Sequence, residues 1–445
     1  MLPSKKIAIQ PLNFGKKWVC DKCCGSNQLV AVGTSKILDE LTNKLIGQVW
    51  NKKATIGTEG QLIVAEALEL TGGLKKGYGV TAGYNTPDTL AYQMMEYNLF
   101  EFSASKTEAR LAAMSDLLID KEKNQIRSFA DFEKLASEKT KDYNKNWLES
   151  EYNLSIAVGQ NSAQYHRFLA QKADFPFVEY QTAGDNKVRN QHQLLDGRIF
   201  NLNDPEAMKL WPPNGYNCRC EMLQTNGKPK NVTSGKAAQE IMQVADTKWS
   251  GSQFNINRGD VKKVFTTPQF YSDIKGLPKK LNLMTYDRYD LPKWDSFKQD
   301  LNKIPIDKSI TGDNVKELFK PMGKAKKEDF MGFKDYFSRK ILIKKSVFDF
   351  HTKGKYLNPN ENRHQLFPHI KDVLNAPDEV WYNTPDKLDS KFQSRYIKFY
   401  QDMVFVVDCG STNDGLEILT WYESKKEDLN FRKGLLVEKK LVKRP

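Results

Sequence analysis

Between Tyr180 and Cys220 the chain gathers residues suited to work other than filling a core. Asp185, Arg189 and His192 stand at i, i+4 and i+7, so a helix there would carry all three on one face. Asp196 follows, Trp211-Pro212-Pro213-Asn214-Gly215 makes a rigid turn, and Cys218-Arg219-Cys220 closes the stretch. Asp185, His192, Cys218 and Cys220 are ligand types for zinc. Two cysteines one residue apart take adjacent tetrahedral positions only with strain, however. We therefore read the stretch as a metal-free knot: Arg189 pairs with Asp185 or Asp196, His192 donates to a backbone carbonyl, and the thiols pack. No nucleophile–base pair and no phosphate-binding glycine loop stands beside it. Such a polar network specifies a conformation rather than a reaction.

A second gathering lies near the other end. Three of the five histidines, His351, His364 and His369, fall there, with Arg363, Lys398, Thr420 and Arg432. This part shows no paired carboxylate or metal cluster, so acid–base chemistry in it would run without a metal or other cofactor. His369 follows Pro368 and reads as a core residue. A third group, Cys20, Cys23 and Cys24, offers half of a zinc knuckle, and a structural site needs four ligands. Six cysteines in 445 residues argue against a disulfide scaffold.

The elements that must position these groups can be read from periodicity. Helical spacing runs from Ser35 to Trp50, through GTEGQLIVAEALELTGG with a stop at Gly72-Gly73, and again from Asp88 through EFSASKTEARLAAMSDLLID. The longest run starts at Ser128 and ends near Lys172; unbroken it would span roughly 65 Å, so a bend is expected. Phe177 to Tyr180 alternates like a strand. After a polar linker, the last third changes character. Ile341-Leu342-Ile343 and Val347 to Phe350 read as strand, and NENRHQLFPHIKDVLNAPDEVW as a helix ending near Ala376-Pro377. YIKFY and MVFVVDCG form a hairpin about Gln401-Asp402, and LEILTWYES and GLLVEKKLV complete a sheet. The fold class is α+β: a helical N-terminal part with a small strand and loop motif region, then one helix on a four- or five-stranded antiparallel sheet. The boundaries expected are 1–33 irregular, 34–225 helical with the motif region at 180–220, 226–334 linker and connecting region, and 335–445 the small α+β module.

Composition narrows the setting. A chain of this length holds about two or three domains. With 39% hydrophobic and 28% charged residues it reads as soluble, and no apolar run reaches the roughly 18 residues of a membrane span. The first residues lack the apolar core of a signal peptide, which implies a cytoplasmic start. The net charge of +13 points to a polyanionic partner, nucleic acid first.

The ordered string Tyr180-Gln181-Thr182, Asp185, Val188-Arg189, His192, Leu195-Asp196-Gly197, Trp211-Pro212-Pro213-Asn214 and Cys218-Arg219-Cys220 resembles the phage Mu F-like head morphogenesis (minor capsid) proteins. FSASKT at 102–107 and WLESEY at 147–152 look like the helical part of that family, and the likeness covers roughly 35–260. It implies a phage or prophage protein in the virion interior, and in the host bacterial cytoplasm during assembly. Its partners would be portal and capsid or scaffold proteins and the DNA they handle, with no membrane. ENRHQLFPHIKDVLNAPDEVW and SRYIKFYQDMVFVVD, within roughly 335–442, resemble the small nucleases of the barnase/EndoU/colicin/RelE-like group. That second likeness implies a metal-independent endoribonuclease with RNA as substrate. Such a reaction needs a base for the ribose 2′-hydroxyl, an acid for the leaving oxygen and cations on the phosphorane. Arg363 and Lys398 would hold the phosphate, His364 or His351 would move the proton, and Thr420 would orient the phosphate. Tyr396 and Trp421 would stack a base, with Arg432 as a further substrate contact. The alternative is a purely structural head protein whose C-terminal module binds portal, scaffold or DNA without catalysis.

Overall fold

The computed structural model describes residues 32–53, 55–79, 87–225, 231–272, 284–289, 291–321, 329–336, 339–353, 362–383, 393–412, 415–426 and 431–439. Cys20, Cys23 and Cys24 lie outside these residues. Five helices come first: α1 (Val32–Trp50), α2 (Ile56–Tyr78), α3 (Pro87–Asp116), α4 (Phe129–Asn144) and α5 (Asn146–Ala170), with a two-stranded hairpin of β1 (Ile119–Asp120) and β2 (Gln125–Ile126) after α3. Ser128 caps α4 by accepting from the Asp131 amide, and the expected bend falls at Lys145, between α4 and α5.

Gly72-Gly73 does not stop α2, which runs six residues past Gly72 to Tyr78. Gly72 faces open space and Gly73 lies against Tyr152 of α5, while the closest helix crossing is made one turn on, at Gly77. A Cβ on Gly77 would lie 2.0 Å from the Ile156 carbonyl, and one on Gly159 would lie 2.5 Å from that of Leu74. Backbone meets backbone at this crossing, which outweighs the roughly 0.5–1 kcal/mol that each helical glycine costs.

The crossing also buries charge. Lys106 on α3 pairs with Glu66 on α2 and, at 2.6 Å, with Glu151 on α5; Arg110 reaches Glu66 at 3.4 Å. Tyr271 donates to Glu151 at 2.7 Å. Two cations and two carboxylates balance, so this buried set is held by pairing. It joins FSASKT to WLESEY.

The motif region forms a three-stranded antiparallel sheet in the order β4–β3–β5, from β3 (Phe177–Gln181), β4 (Ile199–Asn201) and β5 (Glu221–Thr225). Two one-turn helices lie between its strands, α6 (Asn190–Gln193) and α7 (Pro205–Met208). Two more helices follow, α8 (Gly235–Ala245), capped by Ser234, and α9 (Arg258–Val261), capped by Asn257. Val178, Tyr180, Trp211 and Met222 bury into one core with Leu74, Leu154 and Val158 of the helices.

After the short α10 (Gly312–Lys316), a sheet of eight strands takes over. In chain order these are β6 (Lys320–Pro321), β7 (Asp329–Lys334), β8 (Lys340–Lys344), β9 (Glu379–Asn383), β10 (Gln393–Phe399), β11 (Val404–Thr412), β12 (Gly415–Ser424) and β13 (Leu435–Lys439). Their order across the sheet is β13–β9–β10–β11–β12–β8–β7–β6. Every pairing is antiparallel except β12 with β8. The sheet is therefore larger than the four or five strands expected, and it is mixed. The expected strand Val347–Phe350 lies instead in helix α11 (Lys345–Lys353), where Phe348 packs inward on Trp421. Helices α12 (Arg363–Leu366) and α13 (Ile370–Asn375) complete the layer, joined by a 3-10 turn through Pro368.

The C-terminal core reaches beyond residues 335–445. Tyr286, Tyr289, Trp294, Val315 and Phe319, from the stretch expected to connect domains, bury into it, as do Ile63 and Ala67 of α2 and Phe100 and Ala104 of α3. Arg339 binds Asp335 at 2.6 Å and Glu96 of α3 at 3.1 Å, both buried. No described helix is long and apolar enough to cross a membrane.

Candidate active site

Three of the expected residues converge at the edge of the helical layer on β12. Arg363, the first residue of α12, donates from Nη1 to His351 Nδ1 and to Thr420 Oγ1, each at 3.0 Å. His351, on α11, also places Nε2 2.8 Å from the Leu419 carbonyl. These neighbours set its tautomer. A guanidinium only donates and a carbonyl only accepts, so Nδ1 carries the lone pair, Nε2 carries the proton, and the ring is neutral.

A β-bulge makes this possible. Asp408 pairs with Thr420 and Cys409 with Ile418, which leaves Leu419 as the extra residue on β12. Bulges re-aim groups beside sites, and here the freed carbonyl meets His351. The Trp421 indole donates to the Arg363 carbonyl at 2.8 Å and fixes the start of α12. His351, Arg363 and Thr420 are all partly exposed, so the cluster is reachable from solvent. His364, next to Arg363, is partly exposed and has no hydrogen-bond partner among the described residues.

The remaining expected residues lie elsewhere. Lys398 donates to the Ala376 carbonyl, just past α13, at 2.6 Å. Tyr396 is buried; it donates to Asp335 at 2.6 Å and accepts from Arg339, so it cannot stack a base. Trp421 is equally buried, against Phe348 and Phe367. Arg432 is fully buried in a bidentate pair with Glu379 and donates to the Pro292 carbonyl. Tyr396, Trp421 and Arg432 are all buried in the core. Periodicity within one segment does not reveal which face another element covers.

Sequence reasoning missed a pair beside the cluster. Arg395 on β10 grips Asp408 with two bonds, at 2.6 and 3.2 Å, and Asp408 is the cross-strand neighbour of Thr420. A lone arginine inside the apolar run SRYIKFY was the available signal.

The motif region forms a second cluster, bonded differently from its expected pairing. Asp185 takes Arg219 in a bidentate pair, both bonds 2.6 Å, and this holds its carboxyl down at about 2. Arg189 donates instead to the Tyr216 carbonyl at 2.7 Å. Asp196 accepts from the Thr182 amide and hydroxyl at 2.7 and 2.9 Å. His192 does not reach a backbone carbonyl through Nδ1. That atom faces Cys220 Sγ at 3.5 Å and Cys218 Sγ at 3.8 Å. Beside it Tyr180 donates to Asn214 at 2.9 Å, next to the cis Pro212–Pro213 bond.

The two clusters fall in regions that are similar to different known proteins. Residues 122–223 match the family model described as Phage Mu protein F like protein. Residues 317–437 match the phage-Barnase-EndoU-ColicinE5/D-RelE like nuclease2 model. The chain joins a Mu F-like region to a nuclease-like module. The Mu-like prophage FluMu F protein of Haemophilus influenzae is 24% identical over 109 residues, 23% of this chain and 26% of that protein. The putative capsid assembly protein F of Escherichia phage Mu is 27% identical over 75 residues, 17% of each. The chain thus spans about a quarter or less of the curated relatives it matches. No solved structure matches it. The Mu F-like match holds the whole Asp185–Cys220 motif, and the nuclease-like match holds His351, Arg363 and Thr420.

Proposed function

We propose that this is a phage or prophage head protein that acts in head assembly or DNA passage and carries an RNA-cleaving effector in its nuclease-like module. The observation that carries the catalytic part is the convergence of Arg363, His351 and Thr420, from three separate elements, within 3.0 Å bonds on a solvent-reachable edge. The reaction is transesterification. The ribose 2′-oxygen attacks phosphorus and the bond to the 5′-oxygen breaks, leaving a 2′,3′-cyclic phosphate and a 5′-hydroxyl. Arg363 places positive charge where the phosphorane gathers negative charge, and Thr420 orients the phosphate. His351, with both nitrogens committed, is a positioning residue for Arg363. His364, whose imidazole is spared those bonds, takes the proton of the 2′-hydroxyl, and water protonates the departing 5′-oxygen.

The head role draws on the Mu F-like match and on the capsid assembly name of the phage Mu relative. Its partners would be portal, capsid or scaffold proteins, in the virion interior and in the host cytoplasm during assembly. A structural reading without catalysis is favoured by a different observation: Lys398, Tyr396, Trp421 and Arg432 all hold structural bonds.

The test is cleavage of end-labelled RNA by the full-length protein in chelator, because the module shares its core with α2 and α3. Cyclic phosphate ends are expected; intact RNA with folded protein selects the structural reading. His364→Ala should remove a limb of the rate–pH profile. His351→Ala should slow the reaction while keeping that limb. Protein quantification on particles from an induced lysogen should find the chain in a few copies per head.

A further inference from the structure

The motif cluster holds three soft metal ligands in a buried set. His192 Nδ1, Cys218 Sγ and Cys220 Sγ all lie within 4.8 Å of one another, and their residues are 2%, 6% and 5% exposed. Zinc bonds of about 2.3 Å to thiolate and about 2.0–2.1 Å to imidazole, at a tetrahedral angle, place nitrogen about 3.6 Å from sulfur. The two nitrogen–sulfur distances are 3.5 and 3.8 Å. The spacing is that of ligands on one ion.

The objection to a Cys-x-Cys pair is answered by the backbone. Asn217 adopts φ +57° immediately before Cys218, and Cys220 enters β5. The turn before Cys218 and the short run into β5 bring both sulfurs to the same imidazole nitrogen, at 3.8 and 3.5 Å. Without an ion, the two thiols can share their protons only with Nδ1, with each other and with the Tyr180 hydroxyl. With an ion, two thiolates and a dication sum to zero, and a neutral group is cheap to bury. A small cleft beside the three ligands is lined by Lys187, Arg189 and Arg219.

We propose that His192, Cys218 and Cys220 bind one zinc ion that staples α6 to the chain entering β5, with the fourth position facing the cleft, where water or a small anion completes the tetrahedron. The staple is separate from the RNA-cleaving cluster and does not depend on it. Its role is structural, tying together the two ends of the Mu F-like motif.

The test uses the full chain carrying Cys20→Ser, Cys23→Ser and Cys24→Ser, so that the N-terminal thiols contribute nothing. Elemental analysis should find one zinc per chain. Cobalt exchanged into the same protein should show thiolate-to-cobalt charge transfer and the visible bands of a tetrahedral ion. Adding Cys218→Ser and Cys220→Ser should reduce the zinc content at least tenfold. Should that variant fail to fold, the parent protein still decides, because chelation should lower its thermal midpoint and added zinc should restore it. Metal-free parent protein without a cobalt spectrum, a Cys218–Cys220 disulfide by mass, or zinc retained after both substitutions would overturn the proposal.

Discussion

The motif cluster and the nuclease-like cluster draw on the same small palette of histidine, arginine and short polar side chains, yet they are closed to different degrees. His192 and its two thiols are buried, while the arginines around them are spent on Asp185 and the Tyr216 carbonyl. His351, Arg363 and Thr420 keep partial exposure and, among the described residues, surround no metal-ligand set. The difference teaches what residue type alone hides. On the proposed reading, a buried histidine between two soft sulfurs holds an ion permanently. On the same reading, His351 holds a partly exposed arginine where a substrate could come and go.

The largest effect is expected at Arg363: Arg363→Ala should lower RNA cleavage by about 10²–10⁴-fold, with a thermal midpoint close to that of the parent. A midpoint collapse there would make Arg363 a structural residue like those of the motif. Next comes the support common to both clusters. Glu66→Ala leaves Lys106 and Arg110 with Glu151 as their only carboxylate in the buried set, and should destabilise the chain by roughly 3–5 kcal/mol in denaturant unfolding. A loss below about 1 kcal/mol, the scale of an exposed pair, would mean that water reaches this cluster.

Lys398→Ala gives a smaller, sharper test. Because its ammonium holds the Ala376 carbonyl, the expected cost is roughly 0.5–1.5 kcal/mol of stability with the cleavage rate unchanged. Abolished cleavage in a stable variant would return Lys398 to the active site.

The smallest effect concerns pH. Asp185 is held from the usual 3.8 down to about 2, first by its hydrogen bonds to Arg219. A carboxyl whose folded-state value is depressed stabilises the fold above 3.8 and loses that contribution as pH falls through about 2. Thermal midpoints of the parent and Asp185→Asn should therefore differ at neutral pH and converge across that window. Parallel curves would show that the pair with Arg219 contributes nothing to folding.

Much of the fold was legible because its signals are local. The helix start at Ser128, the hairpin about Gln401-Asp402 and the strand Ile341–Ile343 each depend on neighbours within a few residues. What was not legible depends on partners far away. Gly72-Gly73 has the local signature of a helix end, and only the close approach of α5 at Gly77 shows why the helix continues. Val347–Phe350 alternates like a strand, but Phe348 is claimed by Trp421 and the segment coils into α11. At the candidate site, Arg363, His351 and Thr420 could be named from residue type. Their joint geometry could not, because it depends on a bulge that turns the Leu419 carbonyl out of register. Tyr396 and Arg432 failed as substrate contacts for the same long-range reason: Asp335 and Glu379 had already taken them.

The division of labour between the clusters is tested most directly by one side-by-side assay. Full-length protein, Arg363→Ala and Cys218→Ser/Cys220→Ser, each shown to be folded, are incubated with labelled RNA in chelator, and the new ends are identified. The account predicts 2′,3′-cyclic phosphate ends from the parent and from the cysteine variant, and none above background from Arg363→Ala. Cleavage that survives Arg363→Ala, or that disappears with the two cysteines, would contradict it.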